Sequence, residues 1–196
     1  MRAQRDRQFA HVLDSADLCL ADGTGVVWAL RRQGCSLPGP VAGADLVLPI
    51  AELCARRGLR LFLLGAAPGV APALAARLRS DHPRLEVAAH SGSPEQADDD
   101  ATLRLIHQHL TQVLLVAYGA PQQELWIDRL KDRLGVSLAM GVGGAFDYLT
   151  GRVPRAPAWM RNAGLEWLHR LVRQPWRMRR MAVLPVYAIR VLRAPR

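Results

Sequence analysis

Residues 59–70 have the sequence LRLFLLGAAPGV, a largely apolar run followed by a short segment rich in glycine and proline. An apolar run of this length, ending at Gly65 and Gly69, predicts a buried strand that turns directly into a helix. A similar arrangement occurs at residues 113–121, VLLVAYGAP, where a second apolar run meets Gly119. Strands that are apolar throughout are typical of a parallel sheet covered on both faces.

Outward from these two runs, short apolar segments alternate with longer amphipathic ones over the first 151 residues. This alternation predicts a parallel α/β sheet with helices on both faces and right-handed crossovers. Strands are predicted at residues 17–21, 59–64, 85–89, 113–118 and 136–141, and helices at residues 23–33, 44–57, 70–80, 95–110 and 122–134.

The charge of the chain is strongly asymmetric. The net charge is +9, yet residues 1–151 carry 15 basic and 16 acidic residues, whereas residues 152–196 carry 11 arginines and one acid. The C-terminal part has helical apolar spacing, and Pro175 and Pro185 are predicted to separate two or three helices. We therefore predict an α/β core at 1–151 and a basic helical appendage at 152–196. Such an appendage suits a nucleic acid, an anionic membrane or a phosphate-rich ligand.

Composition excludes several classes of protein. A hydrophobic content of 50% with 22% charged residues excludes a mostly disordered chain. Cys19, Cys35 and Cys54 lack disulfide or zinc spacing, so we expect them to be buried small residues in a reducing compartment. The charged N-terminus is not a signal peptide. The longest uncharged apolar run, residues 61–76, is interrupted by prolines and is too short to span a membrane.

Four predicted strand ends are rich in glycine or acid. They lie at residues 21–25, 65–69, 118–121 and 141–144. Parallel strands bind ligands at their carboxyl ends, where glycine lets backbone N–H groups approach a phosphate. None of the four has a GxGxxG or P-loop spacing, and each alone could be a tight turn. Together at one edge, they indicate a binding crevice.

Three acidic segments are candidates for a helix cap, a helix start or a catalytic role. Asp22 could cap the helix that follows it or serve as a general base at the crevice, and the residues alone leave both open. Asp147, in the segment GGAFDYLTG, is also a plausible helix cap. The run Asp98-Asp99-Asp100 predicts a solvated helix start.

Together, these segments resemble the WecG/TagA/CpsF glycosyltransferases. The matching stretches follow the family's order over nearly the whole chain, and the last is long and distinctive. They are ADGTGVVWA (21–29), VAGADL (41–46), LFLLGAAPGV (61–70), YGAPQQELWI (118–127) and GVGGAFDYLTGRVPRAPAWMRNAGLEWLHRLVRQPWRMRR (141–180).

The resemblance implies a Rossmann-like core and an inverting transfer from a UDP-sugar to a polyprenyl-diphosphate-linked acceptor. The sugar would be of the N-acetylmannosamine type, or a related hexose or uronic acid, used in cell-surface polysaccharide synthesis. It also implies no metal and no cofactor. The protein would lie on the anionic inner face of the bacterial cytoplasmic membrane through its basic appendage. A homo-oligomer is left open, and no nucleic-acid partner is expected.

The resemblance also implies roles for individual residues. The family's base aspartate falls on Asp22, and its GAPxQE glutamine falls on Gln123. Arginines suit the diphosphate of UDP or of the acceptor, while Arg179 and Arg180 fit the membrane surface better. Trp159 and Trp167 are expected to pack onto the core. The predicted substrate-binding residues are Gly23, Thr24, Gly65, Gly119, Gln123, Glu124, Gly143, Gly144, Asp147, Arg155, Arg170, Arg173 and Arg177.

Two departures from the family pattern accompany the match. Members usually carry a strand and helix with a Thr/Asn-containing segment before the ADG motif, and we expect the core to lack this unit. Pro40 also stands where many members have an arginine. Two alternatives remain: a catalytically impaired homologue, or a nucleic-acid-binding module that uses the basic tail without an RRM, KH or C₂H₂ signature.

Overall fold

The structure is a computed structural model that describes residues 3–157, 159–160, 168, 171 and 183–193. It confirms the predicted α/β class. The helices are α1 Arg7–Asp14, α2 Thr24–Arg32, α3 Gly43–Arg57, α4 Val70–Asp81, α5 Asp99–Gln108, α6 Gln122–Leu134, α7 Ala145–Leu149 and α8 Val183–Arg193, and the strands are β1 Leu61–Gly65, β2 Val87–His90, β3 Val113–Ala117 and β4 Leu138–Gly141.

The four strands form one parallel sheet in the order β2-β1-β3-β4. Alternate residues of β1 enter two different cores. Leu61 and Leu63 face α3, α4 and α7, whereas Phe62 and Leu64 face α5 and α6. Both faces of β1 and β3 are therefore buried, which is why these strands are apolar throughout.

The strand order creates a crevice between the carboxyl ends of β1 and β3. Strand β1 continues into α4, which packs on one face of the sheet, and β3 continues into α6, which packs on the other. Because β1 and β3 are neighbours, their connections diverge at this point. Ligands of open α/β sheets bind at such a switch point.

Contacts divide the chain into two compact units. The small unit comprises residues 1–7, 18–42 and 154–196, and the sheet unit comprises residues 8–17 and 43–153. Helices α2 and α8 thus belong to the small unit, and the whole sheet belongs to the sheet unit. The boundary predicted at residue 151 stays a prediction.

Several sequence expectations about local structure were wrong. Residues 17–21 are not a strand, because among the described residues no neighbour completes a hydrogen-bonded ladder with them, and Leu18 is 76% exposed. The helix predicted at 95–110 is divided into a 3₁₀ turn, Gln96–Asp98, and α5. Helices α1 and α7 were not predicted, because they are short. Pro185 lies in the first turn of α8, where a missing N–H breaks no helical bond.

Two further expectations concern burial and membrane insertion. Cys54 is buried as predicted, but Cys19 and Cys35 are exposed, because they lie in loops of the small unit rather than on a strand or a core-facing helix. Within the described residues, no helix combines the length and apolar character needed to cross a bilayer.

Candidate active site

The crevice side of the sheet unit is organised by Gln123, in the first turn of α6. Its side chain is buried, and Oε1 accepts hydrogen bonds from the N–H of Gly119 at 3.1 Å and of Gly143 at 2.9 Å. Its Nε2 donates to Glu124 Oε1 at 2.7 Å. Gln123 therefore joins the loops that follow β3 and β4, and we call this arrangement the Gln123 clasp.

The clasp uses the N–H groups of two glycines that were predicted to bind substrate. The N–H groups of Gly119 and Gly143 are already donated to Gln123, so they are not available to a ligand while the clasp is formed. Gly141 makes space for the clasp, because a Cβ there would lie 2.5 Å from Gln123 Nε2 and only glycine leaves room for the amide. Substrate binding by Gly119 and Gly143 stays a prediction.

Gly65 lies on the opposite side of the crevice, at the end of β1. Its φ is +101°, and a Cβ would come within 2.9 Å of the Ala117 carbonyl carbon. Glycine is required here because the chain leaves β1 in close contact with the end of β3.

Two helix N-termini open at this edge of the sheet. Helix α4 begins after Gly69, which has left-handed backbone angles, and α6 begins after Pro121; neither has a side-chain cap. The N–H groups of Val70 and Gln123 donate to the Ala67 and Gly119 carbonyls, and the remaining first-turn N–H groups, with the helix dipole, favour a negatively charged ligand.

Two buried polar atoms at the end of β3 have no hydrogen-bond partner among the described residues. They are the Tyr118 hydroxyl and Glu124 Oε2. Glu124 was predicted as a substrate-binding residue, whereas Tyr118 was not. The only sequence signal for Tyr118 was a hydroxyl at the end of an otherwise apolar strand, directly before Gly119.

Asp99 contradicts the prediction of a solvated acidic run. It is 4% exposed, and its Oδ1 accepts from Trp126 Nε1 and from Arg129 Nη2, both at 2.9 Å. Its Oδ2 accepts from Arg129 Nε at 3.0 Å, and Arg129 also donates to the Pro94 carbonyl. Tertiary packing of α5 on α6 buries this one aspartate, because α6 supplies its donors.

Asp147 and Gly144 lie at α7. Gly144 is the N-cap residue, with no side-chain cap bond, so Asp147 is not the helix cap that its position suggested. Its carboxylate lies in the first turn, and its Oδ1 is 3.9 Å from Arg152 Nε. That separation makes a weak, partly exposed ion pair.

In the small unit, Asp22 and Thr24 are exposed at the start of α2. The N-cap of α2 is Gly23, with φ of 94°, and it makes no side-chain cap bond. The interpretation of Asp22 as the N-cap was therefore wrong, because the helix begins one residue too late for it. The general-base interpretation stays a prediction.

Within the small unit, α2 and α8 are joined at two places. Tyr187 Oη donates to the Gly25 carbonyl at 3.2 Å, and Arg32 donates to the carbonyls of Val191 and Leu192, the last turn of α8. These bonds place Arg32 at the negative end of the α8 dipole, so this arginine has a structural role.

The predicted arginine and tryptophan contacts have mixed outcomes. Arg155 is half-buried in the small unit, and its role stays a prediction. Trp159 is 65% exposed, so the expectation that it packs onto the core was wrong. Predictions for Arg170, Arg173, Arg177, Arg179, Arg180 and Trp167 lie outside the described residues.

The described residues contain no group of three or more His, Cys, Asp or Glu side chains arranged to hold a metal ion.

Comparison with known proteins gives a consistent result. A family model described as the glycosyl transferase WecG/TagA/CpsF family matches residues 1–196. An N-acetylglucosaminyldiphosphoundecaprenol N-acetyl-beta-D-mannosaminyltransferase from Bacillus subtilis is 34% identical over 191 residues, which are 97% of this chain and 74% of that protein. A protein of the same name from Bacillus spizizenii is 34% identical over 194 residues, covering 99% of this chain and 75% of the relative.

Proposed function

The chain belongs to the WecG/TagA/CpsF glycosyltransferase family, and on that premise we propose that it transfers N-acetylmannosamine or a related sugar to a polyprenyl-diphosphate-linked acceptor. The donor is a UDP-sugar, and the product contributes to a cell-surface polysaccharide. The observation that carries this proposal is the 34% identity, over nearly the whole chain, to two transferases whose names specify that sugar and a diphosphoundecaprenol acceptor.

The geometry of the sheet unit supports a diphosphate-containing donor. Helices α4 and α6 begin at the crevice between β1 and β3, and their N-termini, which have no side-chain cap, favour negative charge. Glycine at position 65 allows β1 to end in close contact with the end of β3, where the crevice lies. In the proposed reaction these N-termini stabilise the leaving diphosphate without a metal ion.

Asp22 is the proposed general base. Its carboxylate accepts the proton of the acceptor hydroxyl, and the acceptor oxygen forms a bond to the anomeric carbon of the donor. The bond from that carbon to the UDP oxygen breaks at the same time, so UDP leaves with the electron pair and the anomeric centre inverts. An exposed carboxylate that is not the N-cap of α2 is compatible with this role.

A peripheral membrane location accounts for the surface of the small unit. Leu184, Val186, Ile189 and Leu192 are exposed on α8, which also carries Arg190 and Arg193. A helix that combines exposed apolar side chains with arginines fits the interface of an anionic membrane. We therefore place the protein on the cytoplasmic face of the membrane that holds its acceptor.

A donor screen with the full chain tests the proposal. The acceptor is a short-chain polyprenyl-diphosphate N-acetylglucosamine, and the donors are UDP-N-acetylmannosamine, a UDP-hexose and a UDP-uronic acid. We expect transfer from one of these donors, with UDP as the second product. Donor binding without transfer would instead identify a catalytically impaired homologue, and neither binding nor transfer would refute the proposed donor class.

A further inference from the structure

The Tyr118 hydroxyl is an unusual feature of the sheet unit. It is buried at the carboxyl end of β3 and has no hydrogen-bond partner among the described residues. Leaving a buried hydroxyl unpaired destabilises a protein, and phenylalanine would provide the same ring without that cost. Polar atoms that break this rule are expected where a ligand completes the bonding.

The ring of Tyr118 is held firmly in place. It packs edge-on against Trp126, with ring centroids 5.8 Å apart. Neighbouring glycines make room for it, since a Cβ on Gly65 would lie 3.0 Å from its Cδ1 and a Cβ on Gly92 would lie 2.6 Å from its hydroxyl oxygen. The ring therefore extends from the end of β3 past Gly65 of β1, and the hydroxyl has a defined position beside Gly92, just after β2.

The electrostatic surroundings determine what the hydroxyl can bind. Burial, and then the negative charges of Asp98 and Asp99, raise the pKa of the Tyr118 phenol, so it stays protonated and can donate a hydrogen bond at neutral pH. Such surroundings disfavour a phosphate oxygen and favour an uncharged acceptor, the hydroxyl or carbonyl oxygen of a sugar or nucleoside.

The segment that follows β2 lies next to the hydroxyl. Gly92 lies over it, and among the described residues Ser91, Gly92 and Ser93 make no backbone–backbone hydrogen bond outside the strands. The segment is anchored one residue later, where Arg129 donates to the Pro94 carbonyl at 3.0 Å. Within the segment, Ser93 Oγ accepts a hydrogen bond from the Glu95 N–H at 3.1 Å, so residues 91–93 can shift at the cost of that bond.

We propose that the Tyr118 hydroxyl donates a hydrogen bond to an uncharged oxygen of the sugar-nucleotide donor when residues 91–93 move aside. This inference rests on the proposed function, because it takes the donor of that reaction as the ligand. The inference adds Tyr118 to the residues that bind the sugar nucleotide, with a hydroxyl that makes its hydrogen bond only in the complex.

The test is Tyr118→Phe, with stability and affinity measured on the full chain. Removing an unpaired buried hydroxyl should leave the melting temperature of the free protein unchanged or raise it by about 2–4 °C. Removing the bond to the ligand should weaken the binding of UDP-N-acetylmannosamine by roughly tenfold in calorimetry. A gain in stability with a loss in affinity is the signature of a hydroxyl reserved for a ligand.

Tyr187→Phe provides the matched contrast for stability. The Tyr187 hydroxyl already donates to the Gly25 carbonyl, so its removal should lower the melting temperature. If Tyr118→Phe also lowers the melting temperature and leaves affinity unchanged, the hydroxyl has a purely structural role and the inference is wrong.

The affinities of uridine and UDP are also measured, for the unmodified protein and for Tyr118→Phe. An equal loss of affinity for all three ligands assigns the acceptor oxygen to the nucleoside, whereas a loss confined to the sugar nucleotide assigns it to the transferred sugar. Unchanged affinity for every probe overturns the inference but leaves the proposed function intact. If the unmodified protein binds none of them, the proposed UDP-sugar donor fails, and this inference fails with it.

Discussion

The two units of the molecule differ in which of their polar and apolar side chains are buried and which are exposed. In the sheet unit, Gln123 and Asp99 are buried, and each satisfies several donors within the unit itself. In the small unit, Asp22 is exposed, and most of the exposed large apolar side chains among the described residues are found there. The difference shows that the polar groups of Gln123 and Asp99 hold the sheet unit together, whereas Asp22 and the apolar side chains of α8 are open to solvent.

The largest expected effect lies in the small unit. Asp22→Asn removes the proposed base, so we expect the rate of sugar transfer to fall by about 10²–10⁴-fold. Since Asp22 is exposed, the melting temperature should change little. Asp17→Asn, another exposed aspartate nearby in the sequence, should retain the transfer rate. Equal rates for Asp22→Asn and the unmodified protein would remove Asp22 from the mechanism.

The next effect is on the stability of the sheet unit. Gln123→Ala leaves the N–H groups of Gly119 and Gly143 without their acceptor, and we expect a loss of about 2–4 kcal/mol of unfolding free energy in urea denaturation. The exposed neighbour variant, Gln122→Ala, should lie within about 0.5 kcal/mol of the unmodified protein. Similar stability for both variants would mean that Gln123 does not hold the crevice loops together.

Variants of Asp99 and Asp100 allow a buried ion pair to be compared with an exposed one. Asp99→Asn weakens its charged hydrogen bonds to Arg129, so we expect a loss of about 2 kcal/mol in thermal or urea unfolding. Asp100 has a side chain that is 79% exposed and pairs with Arg133 at 2.6 Å, and Asp100→Asn should cost less than about 1 kcal/mol. If the two variants are equally stable, burial of Asp99 does not distinguish it from its neighbour.

The smallest expected effect concerns the surface of the small unit. Ile189→Asp places a negative charge on the exposed face of α8, and we expect binding to anionic phosphatidylglycerol vesicles to weaken about 5–10-fold in co-sedimentation. Leu105→Asp changes an exposed leucine of the sheet unit and should leave vesicle binding unchanged. Equal loss in both variants would show no special role for α8, and strong duplex-DNA binding without vesicle binding would favour the nucleic-acid alternative.

The centre of the sheet could be predicted because β1 and β3 are buried on both faces. The strands predicted at 59–64 and 113–118 coincide with β1 and β3 within one or two residues. Prediction was wrong where burial depends on distant partners. Residues 17–21 have strand-like composition but no neighbouring strand among the described residues, and Asp99 belongs to a polar run but is buried by α6.

The candidate site residues divide in the same way. Asp22 and Gln123 could be found because they lie in contiguous motifs, ADG and GAPQQE. The structural role of Gln123 could not be found in this way, because the clasp joins it to Gly143, 20 positions further along the chain. The capping interpretation of Asp22 was wrong because a helix boundary depends on backbone geometry that composition defines only to within a few residues.

The sequence by itself determined the α/β class, the family and the concentration of positive charge after residue 151, because these follow from local periodicity, contiguous motifs and composition. Only the tertiary structure decided the strand order β2-β1-β3-β4, and with it the crevice between β1 and β3. It also decided that Gln123 is bonded within the protein while the Tyr118 hydroxyl is left unpaired among the described residues. Strand order and hydrogen-bond satisfaction depend on contacts between residues far apart in the chain, which local patterns do not encode.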